Sequence, residues 1–330
     1  MRRYNVTENQ HKLIVTSEGI LYENNKQPEL EFGDDLEVPL DQQQTKGKLE
    51  KSSGSKAKPL DDILKFSGVQ LSPSGNHKVV GNSKIDHASF SLPSGHTCVG
   101  AKDCKSCADR TTGSIEDAEG IKFRCFSASQ ENVWKSLRMM RWHNYDLLKQ
   151  TKGIKDMVEL INKSYNWYFP NGIEVLRLHI GGDFYSNIYF SAWLEMARQH
   201  PTLEIYAYTK SLPFWVKNKK NIPPNVILTA SKGGKHDHLI DTENLKSAEV
   251  VYSPEEAKEK GLDVDHDDSH ARARGGNESS FALTVHGQQP KDSEAGLARS
   301  ALRKRGIMGY GSKKKVKENN QKYKITEGQY

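Results

Sequence analysis

All four cysteines of this 330-residue chain lie between positions 98 and 125. Three form one short loop, Cys98-Val-Gly-Ala-Lys-Asp-Cys104-Lys-Ser-Cys107, and Cys125 is a candidate fourth member of the set. Thiolates are soft ligands that suit iron-sulfur clusters and zinc. In a reducing compartment such a cluster of cysteines is a metal or redox site more often than a disulfide framework. Three cysteines can bind three irons of a cubane and leave the fourth iron open to a substrate. If Cys125 also ligates, the site is closed, and zinc or an electron-transfer cluster becomes the more natural occupant. Unliganded thiols are the third reading. The C-x2-C pair is specific for metal, whereas the C-x5-C gap before it is unusual for zinc. His96 is a further possible ligand, although a loop histidine without a metal bond is the simpler assignment.

The second motif is His179-Ile-Gly181-Gly182-Asp183-Phe-Tyr-Ser186. Two glycines at a strand end let the backbone approach a ligand closely, and Asp183 adds a carboxylate acceptor for an amine. The plainer alternative is a tight strand-to-helix turn with Ser186 as N-cap. Two other polar segments have plain readings. The run Asp263-Val-Asp265-His266-Asp267-Asp268-Ser-His270 offers hard oxygen ligands for a divalent cation. It lacks glycine at the sixth place of an EF-hand and has Arg274 at the twelfth, so a mobile, solvated loop is expected. Lys235-His236-Asp237-His238 carries two histidines at i, i+2 that on a loop could ligate a metal, and surface exposure is the simpler expectation.

These residues need elements to position them. SFSLPSGHTC reads as a strand ending in a turn that delivers Cys98. A helix is expected from near Ser127, where Ser127 and Gln130 stand at capping-box spacing, and a second over 154–167. Strands over 173–180, 203–209, 225–231, 249–252 and 281–286 then alternate with helices over 187–199, near 213–219, from Pro254 and over 293–305. Such alternation argues for a parallel sheet or barrel. Leu176, Leu178 and Ile180 suit a helix-covered face, which sends Arg177 and His179 to the other side. By the same split Tyr206, Tyr208 and Lys210, Thr229 and Ser231, and Thr284 and His286 share that polar face, which in a barrel lines a cavity. An antiparallel sheet with one wet face is the alternative.

The expected fold is therefore α/β, a partial parallel β/α barrel of about six strands. It occupies 61–306 and carries the cysteine loop 98–125. A flexible N-terminal extension and low-complexity linker precede it over 1–60, with a short hairpin in HKLIVTSEGILYE, and a basic tail follows over 307–330. The apolar fraction is 35% and the net charge is +6. The basic residues gather late in the chain, at Arg303, Lys304, Arg305, Lys313, Lys314, Lys315 and Lys317, where a solvated tail is expected before weak nucleic-acid contact. With no long apolar run and no signal-peptide core, a cytoplasmic protein without a membrane association is expected.

The runs FSLPSGHTCVGAKDC, FRCFSASQE, RLHIGGDFYS, YAYTKS and VHGQQP resemble a phage family called gene product 88, over roughly residues 80–300. That resemblance places the chain in an infected cell and implies no activity by itself. More distantly, the three-cysteine loop followed by a Gly-Gly-acid strand end resembles radical S-adenosylmethionine enzymes. In that superfamily a partial six-stranded β/α barrel holds a [4Fe-4S] cluster on three cysteines, usually spaced C-x3-C-x2-C; here the first gap has five residues. The resemblance implies a cluster on Cys98, Cys104 and Cys107. It also implies that Gly181, Gly182 and Asp183 take the amine of S-adenosylmethionine, with Lys210 or Lys232 pairing with its carboxylate and Ser231 with its ribose. Tyr208, His179 and His286, with Tyr206, are the residues expected to hold the unidentified substrate or relay a proton or electron, and a reductase partner is implied. The alternative from another class is a zinc-stabilised binding protein without catalysis, touching nucleic acid through its basic tail.

Overall fold

The structure, a computed structural model, describes residues 2–4, 12–16, 19–23, 67–73 and 87–307. Arg2–Tyr4 (β1), Lys12–Thr16 (β2) and Gly19–Glu23 (β3) form an antiparallel sheet in that order, with β2 and β3 making the expected hairpin. The linker expected over 33–60 and the lysines of the basic tail lie outside the described residues.

Ser72–Pro73 (β4) and His87–Phe90 (β5) belong to the main sheet, and Ser106–Ala108 (β6) pairs with Ile115–Asp117 (β7) beyond the first cysteines. Three helices follow, Phe126–Val133 (α1), Lys135–Lys149 (α2) and Ile154–Tyr168 (α3). Strands and helices then alternate: Val175–Leu178 (β8), Asn187–Gln199 (α4), Glu204–Thr209 (β9), Leu212–Asn218 (α5), Val226–Ser231 (β10), His238–Thr242 (α6) and Ser247–Val251 (β11). Pro254–Glu259 (α7), Ser269–Arg272 (α8), Phe281–Thr284 (β12) and Glu294–Lys304 (α9) complete the chain. The main sheet has the order β12-β11-β10-β9-β8-β5-β4. Every pair from β5 to β12 is parallel, and β4 lies antiparallel at the edge. Six parallel strands thus lie side by side in chain order, and crossovers of one hand then place their helices on one face. That is the expected partial barrel.

The register explains the two faces. Ala88, Leu176, Ile205 and Val226 stand in one row and join the core beneath Trp142, Tyr189, Phe190 and Trp193. Ser89, Arg177, Tyr206 and Ile227 stand in the alternate row and face the barrel interior. The split expected on β12 is reversed: Phe281 pairs with Ala248, which pairs with Ser231, so Phe281 and Leu283 face inward and Thr284 pairs with Val251 on the other side. Alternation within β12 cannot say which face is which, because the interior there is apolar.

The acidic segment also differs from expectation. Asp265 and Asp268 are buried, and Ala271 of α8 packs on Val175, Tyr206, Ile227, Ala248 and Phe281. The segment is a plug in the incomplete barrel rather than a mobile, solvated loop, because Arg177 supplies a buried cation that Asp268 neutralises at 2.7 Å. Among the described residues no helix is long and apolar enough to cross a membrane.

Candidate functional site

The cysteine loop is fixed at three places. The Leu92 amide donates to Gly181 O at the end of β8. Beyond β10, Gly233 O accepts from the amides of Lys102 and Asp103, and the Lys235 amide donates to Gly100 O. On the helix side, Glu131 accepts from the Ser94 amide (2.9 Å) and hydroxyl (2.7 Å), and pairs with Arg141 at 2.6 Å. Glu131 and Arg141 are both buried. The Lys105 ammonium closes the loop on itself, donating to Gly95 O and Cys98 O.

Cys98, Cys104 and Cys125 border one cleft of about 1110 Å3, together with Arg177, Gly181, Gly182, Asp183, Tyr208, Lys210 and Ser231. The cleft opens at the C-terminal ends of the parallel strands, where β/α barrels carry their sites. Cys107, on β6, does not border it; its sulfur packs against Gly95. Cys125 sits at the N-cap of α1, two residues before the expected cap at Ser127, and Ser127 does not cap: its hydroxyl accepts from Arg141 Nη1 at 2.6 Å. That helix also breaks at Trp134, whose extended backbone separates α1 from α2.

Burial pushes the Cys98 thiol well up, and Asp183, Cys125 and Cys104 add to it against the pull of Lys105. Burial raises Cys125 to about 12, with Cys104 the next contribution, and raises Cys107 as well. The mutual effects place Cys98, Cys104 and Cys125 within electrostatic reach of one another. As a donor set they suit a soft metal, whose binding would displace their protons. Among the described residues no group of three or more His, Cys, Asp or Glu is already arranged around a metal position.

The Gly-Gly-Asp segment is packed against the protein itself. A side chain at Gly181 would collide with Ser127 Oγ and the Arg141 guanidinium, and one at Gly182, whose φ is 81°, would come within 2.6 Å of Thr97 Oγ1. Asp183 Oδ1 accepts from the Phe184 amide (2.7 Å) and Thr209 Oγ1 (2.6 Å), and Oδ2 accepts from the Lys210 amide (2.8 Å). Burial nevertheless raises its pKa. Of the roughly four lone-pair sites on a carboxylate, one remains for an incoming amine. Lys210 is equally engaged, donating to Ser231 O, Ser231 Oγ and Lys232 O, and Lys232 pairs with Glu249 at 3.2 Å. Ser186 is the N-cap of α4 and accepts from the Tyr189 amide, as the plainer reading of the motif has it.

His179, Tyr208 and His286, expected to meet substrate, all border the cleft, but their side chains make different contacts. His179 has φ 31°, and this left-handed backbone breaks the strand's alternation. Its ring packs among Phe90, Phe184 and Tyr189 of the helix-side core, with Nε2 2.7 Å from Tyr189 Oη, although the residue still borders the cleft. Burial lowers its pKa to about 3, and Nδ1 is buried without a hydrogen-bond partner. Tyr208 borders the cleft and donates to Asp268 Oδ1 at 3.1 Å. His286 borders it too, with its ring 4.6 Å from that of Phe126.

Glu131 and Arg141 carry much of this positioning and are not singled out by the sequence, whereas Asp268 is named there only as an oxygen ligand in an acidic run. The signal for Arg141 was available: Arg138, Arg141, Tyr145 and Leu148 recur on one stripe of α2, so two arginines stand where apolar residues are due.

Two phage proteins are similar to part of this chain. A gene 88 protein of Mycobacterium phage L5 is 27% identical over 136 residues, 39% of this chain and 51% of that protein. A gene 88 protein of Mycobacterium phage D29 is 26% identical over 136 residues, 39% of this chain and 50% of that protein. The chain thus spans about half the length of the curated relatives it matches. No solved structure matches it. The model of the gene product 88 family matches residues 49–306, more than half of the chain, and the chain belongs to that family.

Proposed function

We propose that the cysteine loop holds an iron-sulfur cluster at the rim of the cleft, and that the cleft carries a substrate for chemistry of the radical S-adenosylmethionine type. The observation that carries this reading is the meeting of Cys98, Cys104 and Cys125 with Gly181, Asp183, Lys210 and Ser231 around one opening at the strand ends. Cys98 and Cys104 are the obligate ligands. The third is Cys107 by loop spacing or Cys125 by its place on the cleft. The cluster would supply one-electron reduction when bound. The protein's own residues hold and shield: Glu131 and Arg141 fix the loop, Asp183 ties the ends of β8 and β9, and Lys210 ties those of β9 and β10. S-adenosylmethionine is the cofactor this reading implies, its amine meeting the remaining lone pair of Asp183. The reading also implies a reductase partner in the cytoplasm of the infected cell.

A second reading has its own support. Cys125 lies within electrostatic reach of Cys98 and Cys104, and four thiolates would make a closed zinc site that only stabilises the loop. Anaerobic purification with an absorbance spectrum and metal analysis separates the two. Iron and sulfide with broad visible absorption support the cluster. About one zinc per chain and no colour support the closed site. Calorimetric titration of the iron-loaded protein with S-adenosylmethionine then tests the cofactor, and no heat of binding would remove it from the reading.

A further inference from the structure

The cleft is far more cationic than its chemistry so far requires. Six cations border it, Arg124, Arg177, Lys210, Lys291, Arg299 and Arg303, against the single carboxylate of Asp183. Three of the six are engaged within the protein. Arg124 pairs with Asp117, Arg177 pairs with Asp268, and Lys210 is surrounded by oxygens at the end of β10. Among the described residues Lys291, Arg299 and Arg303 pair with no carboxylate.

Helical spacing brings two of these together. Gly296, Arg299, Ser300 and Arg303 stand at i, i+3, i+4 and i+7 on α9, and all four border the cleft. The adjoining stripe, Ala295 and Leu302, is buried against Val285. Arg299 Nη1 is buried with no hydrogen-bond partner. Burial and the neighbouring Arg303 both lower the Arg299 pKa, so its charged form lacks a stabilising anion. A phosphate oxygen suits that donor, since guanidinium groups bind phosphate through paired, charge-assisted hydrogen bonds. The same cleft is bordered by Trp134, 45% exposed, and by the Phe126–His286 ring pair. Cations that pair with no carboxylate among the described residues, beside an open aromatic face, are what single-stranded nucleic acids and nucleotides use: backbone phosphates meet the charges and bases stack on the rings.

We propose that the α9 side of the cleft binds a nucleotide unit, with phosphate on Arg299 and Arg303 and the base on Trp134. This deepens the reading of a substrate-bearing cleft by giving the class of substrate, a free nucleotide or a single strand.

The test is fluorescence anisotropy of a labelled oligothymidylate about ten nucleotides long at low salt, with thymidine monophosphate and inorganic phosphate as competitors. R299Q and R303Q should each weaken binding about tenfold and lower the slope of log affinity against log salt by about one. W134A should weaken it about tenfold. K304Q, on α9 but away from the cleft, should change it less than about twofold. Arg303 and Trp134 are exposed, so these variants test the proposal even if R299Q folds poorly. Competition by thymidine monophosphate points to a free nucleotide, and binding of the oligomer alone points to a strand; either supports the proposal. No binding of either, or equal effects of R303Q and K304Q, would overturn it. An unaltered W134A, or inorganic phosphate competing as well as the nucleotide, would overturn the nucleotide assignment. Iron content read on the same samples keeps the two proposals apart: nucleotide binding without iron overturns the metal reading alone, and iron without nucleotide binding overturns this one alone.

Discussion

The two halves of the barrel interior are built from similar residues and treat them in opposite ways. In the plugged half, Arg177, Tyr206 and Tyr208 converge on Asp268, and Lys246 Nζ donates to the carbonyls of His270, Ala271 and Ala273 at the end of α8. There, Asp268 neutralises Arg177 and carbonyl oxygens hold Lys246, although Thr229 Oγ1 and Asp265 Oδ2 are buried without a hydrogen-bond partner among the described residues. In the open half, three thiols and three cations that pair with no carboxylate among the described residues border a cleft of about 1110 Å3. Buried polar groups are costly unless satisfied, so a satisfied network reads as structure and an unsatisfied one as a place for a ligand.

The largest expected effect breaks the plugged half. Asp268→Ala strands the Arg177 guanidinium and should cost about 3–5 kcal/mol in a urea titration, since half of a buried pair remains. Asp268→Asn keeps a residue tolerant of the φ of 62° and should cost less. A cost under 1 kcal/mol for Asp268→Ala would mean that the plug does not hold the fold (about the exposed-pair level). At the border between the halves, Gly181→Ala forces a methyl group against Ser127 and Arg141 and should cost about 1–3 kcal/mol.

His179 gives a pH test. Its folded pKa of about 3 lies below the ordinary histidine value of 6.5, so the unfolded chain binds the extra proton first. The stability this contributes is complete above pH 6.5 and is lost as pH falls towards 3. Between pH 7 and pH 5 the loss should be about 2 kcal/mol. His179→Gln should flatten that slope, and an unchanged slope would show that the ring is not buried neutral. The smallest effect belongs to the open half: Arg303→Gln should change folding stability by less than about 0.5 kcal/mol, because Arg303 is exposed and pairs with no carboxylate among the described residues.

Much of this was legible in the sequence, and for definite reasons. The six parallel strands were, because Leu176–Leu178 and Ile205–Ala207 alternate against helical runs such as 187–199. The convergence expected of Cys98, Cys104 and Cys107 was legible only in part: Cys98 and Cys104 border the cleft with Gly181, whereas Cys107 lies off it on β6. The plug was not: an acidic run resembles a solvated loop until Arg177 is known to face it. The direction of His179 was not, because one positive φ undoes an alternation that is otherwise sound. Nor was the cleft face of α9, since Arg299 and Arg303 gain meaning only from pairing with no carboxylate among the described residues.

The central claim is that the thiols of the open half exist to hold metal, and metal content across cysteine variants tests it most directly. After anaerobic purification, Cys98→Ser and Cys104→Ser should each lose the iron while keeping the fold by circular dichroism, and whichever of Cys107→Ser and Cys125→Ser loses it too names the third ligand. Metal content unchanged in Cys98→Ser and Cys104→Ser, or no metal in the native protein, would contradict the account.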